Sequence, residues 1–564
     1  MVAAKKADFY AIAEKFHVDP VVARIIRNRE VIGEKNIRIY LGGNLSDLSD
    51  PHQMKDMDRL VEILAQKIRK QVHIRIIGDY DVDGVTSSHL FLTALRRVGA
   101  KVDVVIPHRI QDGYGLSLHL LQQAKEDGVD TILTCDNGIA AIDEIAWAKA
   151  QKMTVLVTDH HAVPFEEHEG RRTEKKSLAD AVVNPHQQDC RYPYKELCGA
   201  GVAWNVIRVL YENYDMDKRE AEDLLDFVAM ATVCDVMSLT GENRILVKEG
   251  LKRIRHTKNI GLQALMQACN VQPENISAYH FGYVLGPCVN ATGRLDTARH
   301  ALRLFETGQE TEAEEIARDL VDLNQERKEL TLQGVEMAKK LCEEGGYEND
   351  PILVLFLPDV HESIAGLIAG RIREMYNRPV FVLTRGEEGV KGSGRSTENY
   401  SMYENMCGCA ELFTKFGGHP MAAGVSLPEE NVEKFRRKIN ENCPLTVEEV
   451  CPDIHIDMAM PVGYASTELV HQFALLEPFG KDNPSPLFAD RNLSISRMWV
   501  IGKNRNVLRM SVLSEYGQPV PVIFFGDVET LFAYFTEKFG QEEVENALHG
   551  RKNRILFSMV YTAK

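Results

Sequence analysis

The spacing of apolar positions divides the chain into regions of different period. Val72, Ile74, Ile76 and Ile77 form a short β-branched run that stops at Gly78, and the runs 101–106, 130–135 and 153–158 have the same character. Helical spacing over 55–70 (Met57, Leu60, Ile63, Leu64, Ile68) and over 89–98 predicts helices between them. Strands alternating with helices imply right-handed β-α-β crossovers, so the expected fold class is α/β on a parallel sheet. Residues 1–50 are mixed, mostly helical in pattern, and end in the turn-rich GGNLSDLSDP.

Further along, Ile316, Leu320, Leu323, Arg327, Leu330 and Met337 recur at helical spacing over 311–344 without a proline. A helix of about 30 residues would span about 45 Å and could bridge two domains. Pro351 then opens a second, smaller α/β region with the strand ILVLFL and the segment HESIAGLIAGRI, where Gly366, Ala369 and Gly370 permit close helix packing. After Cys451 the pattern becomes all-β: IHIDM, LSISRMWVIG, VLRMSVL, PVPVIFFG and RILFSMVYT predict a five-stranded barrel of the OB type. The expected division is a helical segment (1–50), an α/β domain (51–305), a connector helix (306–346), a second α/β domain (347–450) and a barrel (451–564).

Composition narrows the class. At 564 residues with 44% hydrophobic and 26% charged, the chain is a multidomain globular protein. No apolar run approaches the ~18 residues of a membrane span, and the N-terminus has no continuous apolar stretch, which points to the cytoplasm and no membrane partner. Eleven cysteines without a C-x-x-C pair argue against both a disulfide framework and a thiolate zinc site. A net charge of −16 disfavours a non-specific coat for a polyanion, while a local basic groove remains compatible with it.

The chemistry lies where the strands end. The first run delivers Asp79, Asp81 and Asp83 at every second position, and carboxylates converging that closely need a cation or a proton. The third runs into Asp136-Asn137-Gly138, the fourth into Asp159-His160-His161, and Asp235 follows an apolar helix over 224–233. Taken singly, these are also a helix cap, a tight turn and polar surface. Ligands bind outside the carboxyl ends of parallel strands, so acids and imidazoles sharing that edge suit Mn²⁺ or Mg²⁺. His108, Arg109 and Tyr114 in a loop after a strand suit phosphate pairing and stacking, as do Ser393 and Arg395 in GSGRS and Gly417-Gly418-His419. The alternative for each is an ordinary turn. Arg497, Trp499, Lys503, Arg505 and Arg509 interleave basic and aromatic groups along the barrel, a mixture that tracks single strands and equally fits domain packing.

GDYDVDG, CDNGI, TDHH and CDVMSL, in that order, resemble the motifs of the DHH phosphoesterase superfamily, and GRSTENY with FGGHPMAAG resembles its DHHA1 partner domain. With VLGPCVNATGRLD and LEPFGKDNPSP the resemblance extends to the RecJ family of single-strand-specific exonucleases, from about residue 35 to 560. The resemblance implies two metal ions held by Asp79, Asp81, Asp83, Asp136, His160 and Asp235, with Asp136 bridging. The triple-Asp loop offers more acids than two ions must use there, so either Asp79 or Asp83 is in surplus. Asp159 and His161 would position the scissile phosphate and orient the ligating imidazole, joining Asp136 and His160 as catalytic groups. Asn290, Arg294 and Arg371 would join the substrate contacts, although Cys288 stands where relatives usually carry Arg and HESIAGLIAG departs from the family's Gly-rich pattern.

The activity so implied is metal-dependent 5′→3′ hydrolysis of single-stranded DNA to mononucleotides by a monomer, in recombination and repair, alongside a helicase and a single-strand-binding protein. Two alternatives are a short-oligonucleotide or cyclic-dinucleotide phosphodiesterase of the same superfamily, and a non-catalytic scaffold. The barrel and long connector favour the polymer substrate, and so many convergent acids have no use in a scaffold.

Overall fold

The computed structural model describes residues 7–564 apart from 110–111, 114, 169–170, 348–349, 387–388, 442, 447–453, 503–504 and 515, so Tyr114 and Lys503 lie outside the described residues. The chain divides into two compact units, one of residues 48–237 with 245–453, the other of residues 1–47, 238–244 and 454–564.

In the larger unit, β1 (Ile74–Ile77), β2 (Val102–Val105), β3 (Thr131–Cys135) and β4 (Thr154–Thr158) are followed by a two-stranded ribbon, β5 (Phe165–His168) and β6 (Arg171–Glu174), and then by β7 (Ala181–Val183). The sheet runs β2-β1-β3-β4-β7 with every pair parallel. β2 and β3 lie on opposite sides of β1, so the carboxyl ends of β1 and β3 flank a topological switch point, the usual ligand crevice of such sheets. Strands β1, β3 and β4 are buried almost throughout, which explains their mostly apolar sequences, while the buried Arg75 in β1 is paired with Asp103 and Asp127.

The helix expected to begin at His89 begins at Val82 and runs to Arg97. Its first turns are buried all round, which removes the amphipathic period that would reveal them, and Asp81 caps it by accepting from the Gly84 amide at 3.0 Å.

The connector is one helix, Glu310–Glu344, of 35 residues. Its first half packs on the helices Ile260–Ala268 and Gly286–Leu295 through buried Ile316 and Leu320. Its second half places Val335, Ala338 and Cys342 in the core of the second α/β domain with Leu353, Ile364 and Ile368. That domain is built on β8 (Leu353–Phe356), β9 (Val380–Gly386), β10 (Gly389–Arg395), β11 (Lys415–His419) and β12 (Ala422–Leu427), in the order β11-β12-β10-β9-β8. Only β8 and β9 are parallel.

GSGRS is not a loop. Residues 392–395 belong to β10, paired with β9 and β12 in the middle of the sheet, so their amides serve the strand ladder rather than wrapping an anion. Gly417-Gly418-His419 is likewise no turn but the end of edge strand β11.

In the smaller unit the N-terminal helices Phe9–Phe16, Pro20–Asn28 and Glu34–Gly42 share a core with C-terminal residues, Val22, Ile25 and Ile26 packing with Met460, Phe473 and Phe488. Arg244 is buried there, 3.9 Å from the Tyr40 ring, donating to the carbonyls of Tyr40, Leu475 and Leu476. The sheet comprises β13 (Met458–Ala459), β14 (Phe488–Ile501), β15 (Val507–Leu513), β16 (Pro519–Phe525) and β17 (Leu556–Tyr561). The long β14 breaks register twice, and it pairs β17 along its first part and β15 along its second. The sheet therefore curls as an OB-like half-barrel. Among the described residues no pairing closes it, the expected IHIDM strand shrinks to β13, and helices Val528–Phe539 and Gln541–Leu548 separate β16 from β17.

Candidate metal centre and phosphate pocket

Four segments of the larger unit converge. Asp79, Asp81 and Asp83 follow β1, Asp136 follows β3, Asp159 to His161 follow β4, and Asp235 ends the helix Leu225–Cys234. Ligand atoms of Asp79, Asp81 and Asp136 lie within 4.8 Å of one another, and so do those of Asp83, His160 and Asp235. Asp136 and His160 join the two groups: His160 Nε2 is 3.0 Å from Asp136 Oδ1, 3.6 Å from Asp235 Oδ2 and 3.7 Å from Asp83 Oδ2. Asp136 sits at φ 61°, a left-handed conformation that Asp tolerates better than most residues and that is often held at functional sites.

Asp83 is held by a feature that the sequence reading missed. The helix Gly199–Asn213 points its N-terminus at this carboxylate, and the amides of Gly199 and Ala200 donate to Oδ2 and Oδ1 at 2.6 and 2.7 Å. A carboxylate has about four lone-pair sites, so two amide bonds leave room for a cation. A Cβ on Gly199 would stand 2.6 Å from Asp136 Cβ, so only glycine brings this amide in without displacing the neighbouring acid. The small-residue run Cys198-Gly199-Ala200-Gly201 before an apolar helix was the available signal.

The electrostatics test whether these residues fit metal ions. Burial, then the neighbouring Asp81, raises Asp79 well above the usual carboxylate range; burial and Asp83 raise Asp81; burial and then Asp83, Asp81, Asp235 and Asp79 raise Asp136 well above it. Neither Asp79 carboxylate oxygen makes a well-formed hydrogen bond to the described residues, although the Tyr80 and Gly115 amides favour its charged form. Burial keeps His160 neutral by lowering it, as a ligating imidazole requires. Carboxylate oxygens with a neutral imidazole form a donor set for Mn²⁺ or Mg²⁺, and they fit.

Asp159 organises His161 rather than the ring of His160. Its Oδ1 accepts from the His160 and His161 amides and lies 2.7 Å from His161 Nδ1, and Oδ2 accepts from the Ile139 amide. Burial opposes its ionisation, but the His161 hydrogen bond, the charges of His161 and His160 and the Ile139 amide together outweigh burial and hold Asp159 below its usual value. Conversely, burial disfavours the His161 cation, and the Asp159 bond together with the charges of Asp159, Asp235 and Asp83 reverses this and raises His161 to about 9. Its side chain is 41% exposed.

The expected substrate contacts separate into groups. Arg109 stacks on the Tyr80 ring at 4.8 Å and, with Ser363, Lys391, Ser393, Lys415 and Gly417, lines a cavity of about 440 Å³. Asp112 accepts from the His108 amide and pairs with His119. Burial, then neighbouring Arg109, Arg327 and Arg395, lowers Arg294 to about 10, and burial with Arg109 lowers Arg395. These guanidinium groups are crowded together, an arrangement that an anion relieves. Gly366 makes room for Arg395, because a Cβ there would lie 2.8 Å from Nη2. Arg294 also donates to the Ser363 carbonyl at 2.6 Å. Asn290 instead accepts from the Val82 amide at 3.1 Å and steadies the acidic loop.

Arg371 is near enough to Arg327 to add to burial in lowering it, but it does not line the cavity. It is 68% exposed beside Glu374, and His419 is exposed on β11. Tyr80, Arg327 and Lys391 were overlooked, although an arginine at an otherwise apolar helical position was a legible sign for Arg327. In the smaller unit, Arg497 and Arg509 lie 5.0 and 5.9 Å from the Trp499 ring, and Arg505 is exposed at φ 54°.

Residues 73–232 match the DHH family, N-terminal domain, residues 349–443 the DHHA1 domain, and residues 456–559 the RecJ OB domain. The single-stranded-DNA-specific exonuclease RecJ of Bacillus subtilis is 33% identical over 90% of this chain, which spans only 63% of that relative's length. RecJ of Haemophilus influenzae is 33% identical over 88% of both chains. RecJ of Thermus thermophilus, 27% identical, has been solved with Mn²⁺ at a TM-score of 0.75, covering 92% of this chain and 74% of its own. The same protein with Mg²⁺ gives 0.71, covering 92% and 71% at 27% identity. The order of the three domains, the convergent acids at the switch point and this likeness along most of its length make the chain a member of the RecJ family of single-stranded-DNA-specific exonucleases.

Proposed function

We propose that this chain degrades single-stranded DNA from the 5′ end, hydrolysing one phosphodiester at a time to release 5′-mononucleotides, in recombination and repair in the cytoplasm. The observation that carries this reading is the pairing, within one unit, of a buried acid and imidazole cluster with an arginine cluster. Asp136 and His160 are 3.0 Å apart, and burial beside Arg109 lowers both Arg294 and Arg395. Two divalent cations suit the donor set, one held by Asp79, Asp81 and Asp136, the other by Asp83, His160 and Asp235, with Asp136 shared. When bound, Mn²⁺ or Mg²⁺ lowers the pKa of a water and neutralises charge on the phosphoryl oxygens.

The protein's own groups do the positioning. Asp159 fixes His161 as a donor for a phosphoryl oxygen, and the Gly199 and Ala200 amides hold Asp83 in place. Arg294, Arg395, Arg109 and Ser393 suit the terminal 5′ phosphate, and a charged group there favours end-directed over internal cleavage. The basic and aromatic residues around Trp499 suit a further stretch of the strand. The reading implies a monomer that cooperates with a helicase and a single-strand-binding protein. Single strands labelled at either end and incubated with Mn²⁺ test it. Mononucleotides carrying the 5′ label are expected first, and earlier release of the 3′ label overturns the polarity.

A further inference from the structure

Tyr279 and Tyr283 are 62% and 72% exposed, yet they are not loose surface residues. Their rings stack on each other, with centroids 5.1 Å apart and planes at 24°. One helical turn of separation places them on the same face. His280, edge-on to Tyr279 at 5.7 Å, is fixed by the Ser277 amide and hydroxyl through its Nδ1 at 3.2 and 3.0 Å, which steadies the near end of the pair.

Tyr283 lies within a π-helical turn, Phe281–Leu285, that follows Tyr279, a form found mostly as single turns and often at functional sites. It is anchored to the helix that supplies Asp235. Cys234 Sγ donates to the Phe281 carbonyl at 3.3 Å, and Gly282, between the two tyrosines, lies within ordinary contact distance of Val233. The aromatic pair is thus rooted in the same helix end as a candidate metal ligand, and Val236, directly after Asp235, is 62% exposed.

We infer that Tyr279 and Tyr283 form a stacking platform for a base of the single strand beside the metal centre, a reading that rests on the proposed single-strand substrate. Two features select this occupant. A pre-stacked, exposed aromatic pair offers a flat π-face that any base can extend, with little ordering cost because the tyrosines are already in place. A chain with net charge −16 gains least from diffuse attraction to phosphate, so it needs contacts to its substrate that do not depend on charge.

The test compares the double variant Tyr279→Ala/Tyr283→Ala with Tyr279→Phe/Tyr283→Phe on a long 5′-phosphorylated oligodeoxythymidylate and on 5′-phosphorylated thymidine dinucleotide. The alanine variant is expected to raise KM for the long strand about tenfold, while kcat, dinucleotide turnover and Tm stay at wild-type values. The phenylalanine variant, which keeps both rings, is expected to behave as wild type. Unchanged KM for the long strand in the alanine variant overturns the proposal, and so does an equal loss on the dinucleotide. Equilibrium binding of the labelled oligodeoxythymidylate in EDTA, read by fluorescence anisotropy, separates the two layers of inference. A wild-type chain that binds the strand through the tyrosines but cleaves neither substrate refutes the exonuclease reading and leaves the platform standing.

Discussion

Asp136 Oδ1 lies 3.0 Å from His160 Nε2, a contact between residues delivered by two adjacent parallel strands. In the folded protein the imidazole is surrounded by the carboxylates of Asp83, Asp136 and Asp235, and burial with mutual repulsion raises Asp136 well above its usual value. This crowding opposes folding whenever the site holds no cation. Asp136→Asn is therefore expected to raise the melting temperature measured in EDTA, to weaken Mn²⁺ binding in calorimetric titration by at least about 100-fold, and to abolish cleavage while strand binding survives. Retained turnover would refute the bridging role of Asp136.

Gly199 is expected to be as sensitive as a ligand although it offers no side chain. Its amide holds Asp83 at 2.6 Å, and an added methyl group would collide with Asp136. Gly199→Ala should lower kcat about 100-fold, the scale on which a displacement of about 1 Å acts. Metal titration should show weakened binding, and circular dichroism should show an intact helix.

The two arginines of the second α/β domain should behave differently. Arg395 is crowded by Arg109 and half-buried, whereas Arg371 is exposed beside Glu374. Arg395→Ala is expected to raise KM for 5′-phosphorylated strands about 10- to 100-fold, the loss of one charge-assisted hydrogen bond, with a smaller effect on 5′-hydroxyl strands. Arg371→Ala should leave both unchanged in steady-state assays.

Asp226 governs a pH dependence remote from the metal ligands. Burial, opposed by hydrogen bonds from the Thr257 hydroxyl and the Phe227 amide, raises it to about 6. A carboxyl raised on folding stabilises the fold fully below its unfolded value near 3.8, and this contribution is lost as pH rises through about 6. The loss amounts to about 3 kcal/mol at most. Asp226→Asn should therefore gain stability over wild type at pH 8 and show little difference near pH 4 in denaturant titrations.

Which parts were legible in the sequence follows from what each local pattern encodes. Buried parallel strands announce themselves as short apolar runs, so β1, β3 and β4 and the acids after them were readable from residues 72–83, 130–136 and 153–161. The start of the helix at Val82 was not, because a segment buried on every side has no polar face to set a period. Glycine in GSGRS reads as a turn from sequence alone, while in the fold β10 needs glycine where Leu383, Val425, Phe381 and Met402 leave no space for a side chain. The grip of Gly199 and Ala200 on Asp83 joins positions 116 and 117 residues apart and depends on the direction of a helix axis, which no local pattern carries.

The helix Glu310–Glu344 has its two halves fixed in two different cores and contains no proline. Bending it would break backbone hydrogen bonds and pull Ile316 or Val335 out of its packing, so the span from the acid cluster to Arg395 works as a calliper set at one opening. Changes in that opening then come from sliding at packed side chains, a motion of small amplitude. Under the proposed function, a substrate would have to present its phosphates at the gauge this rod dictates.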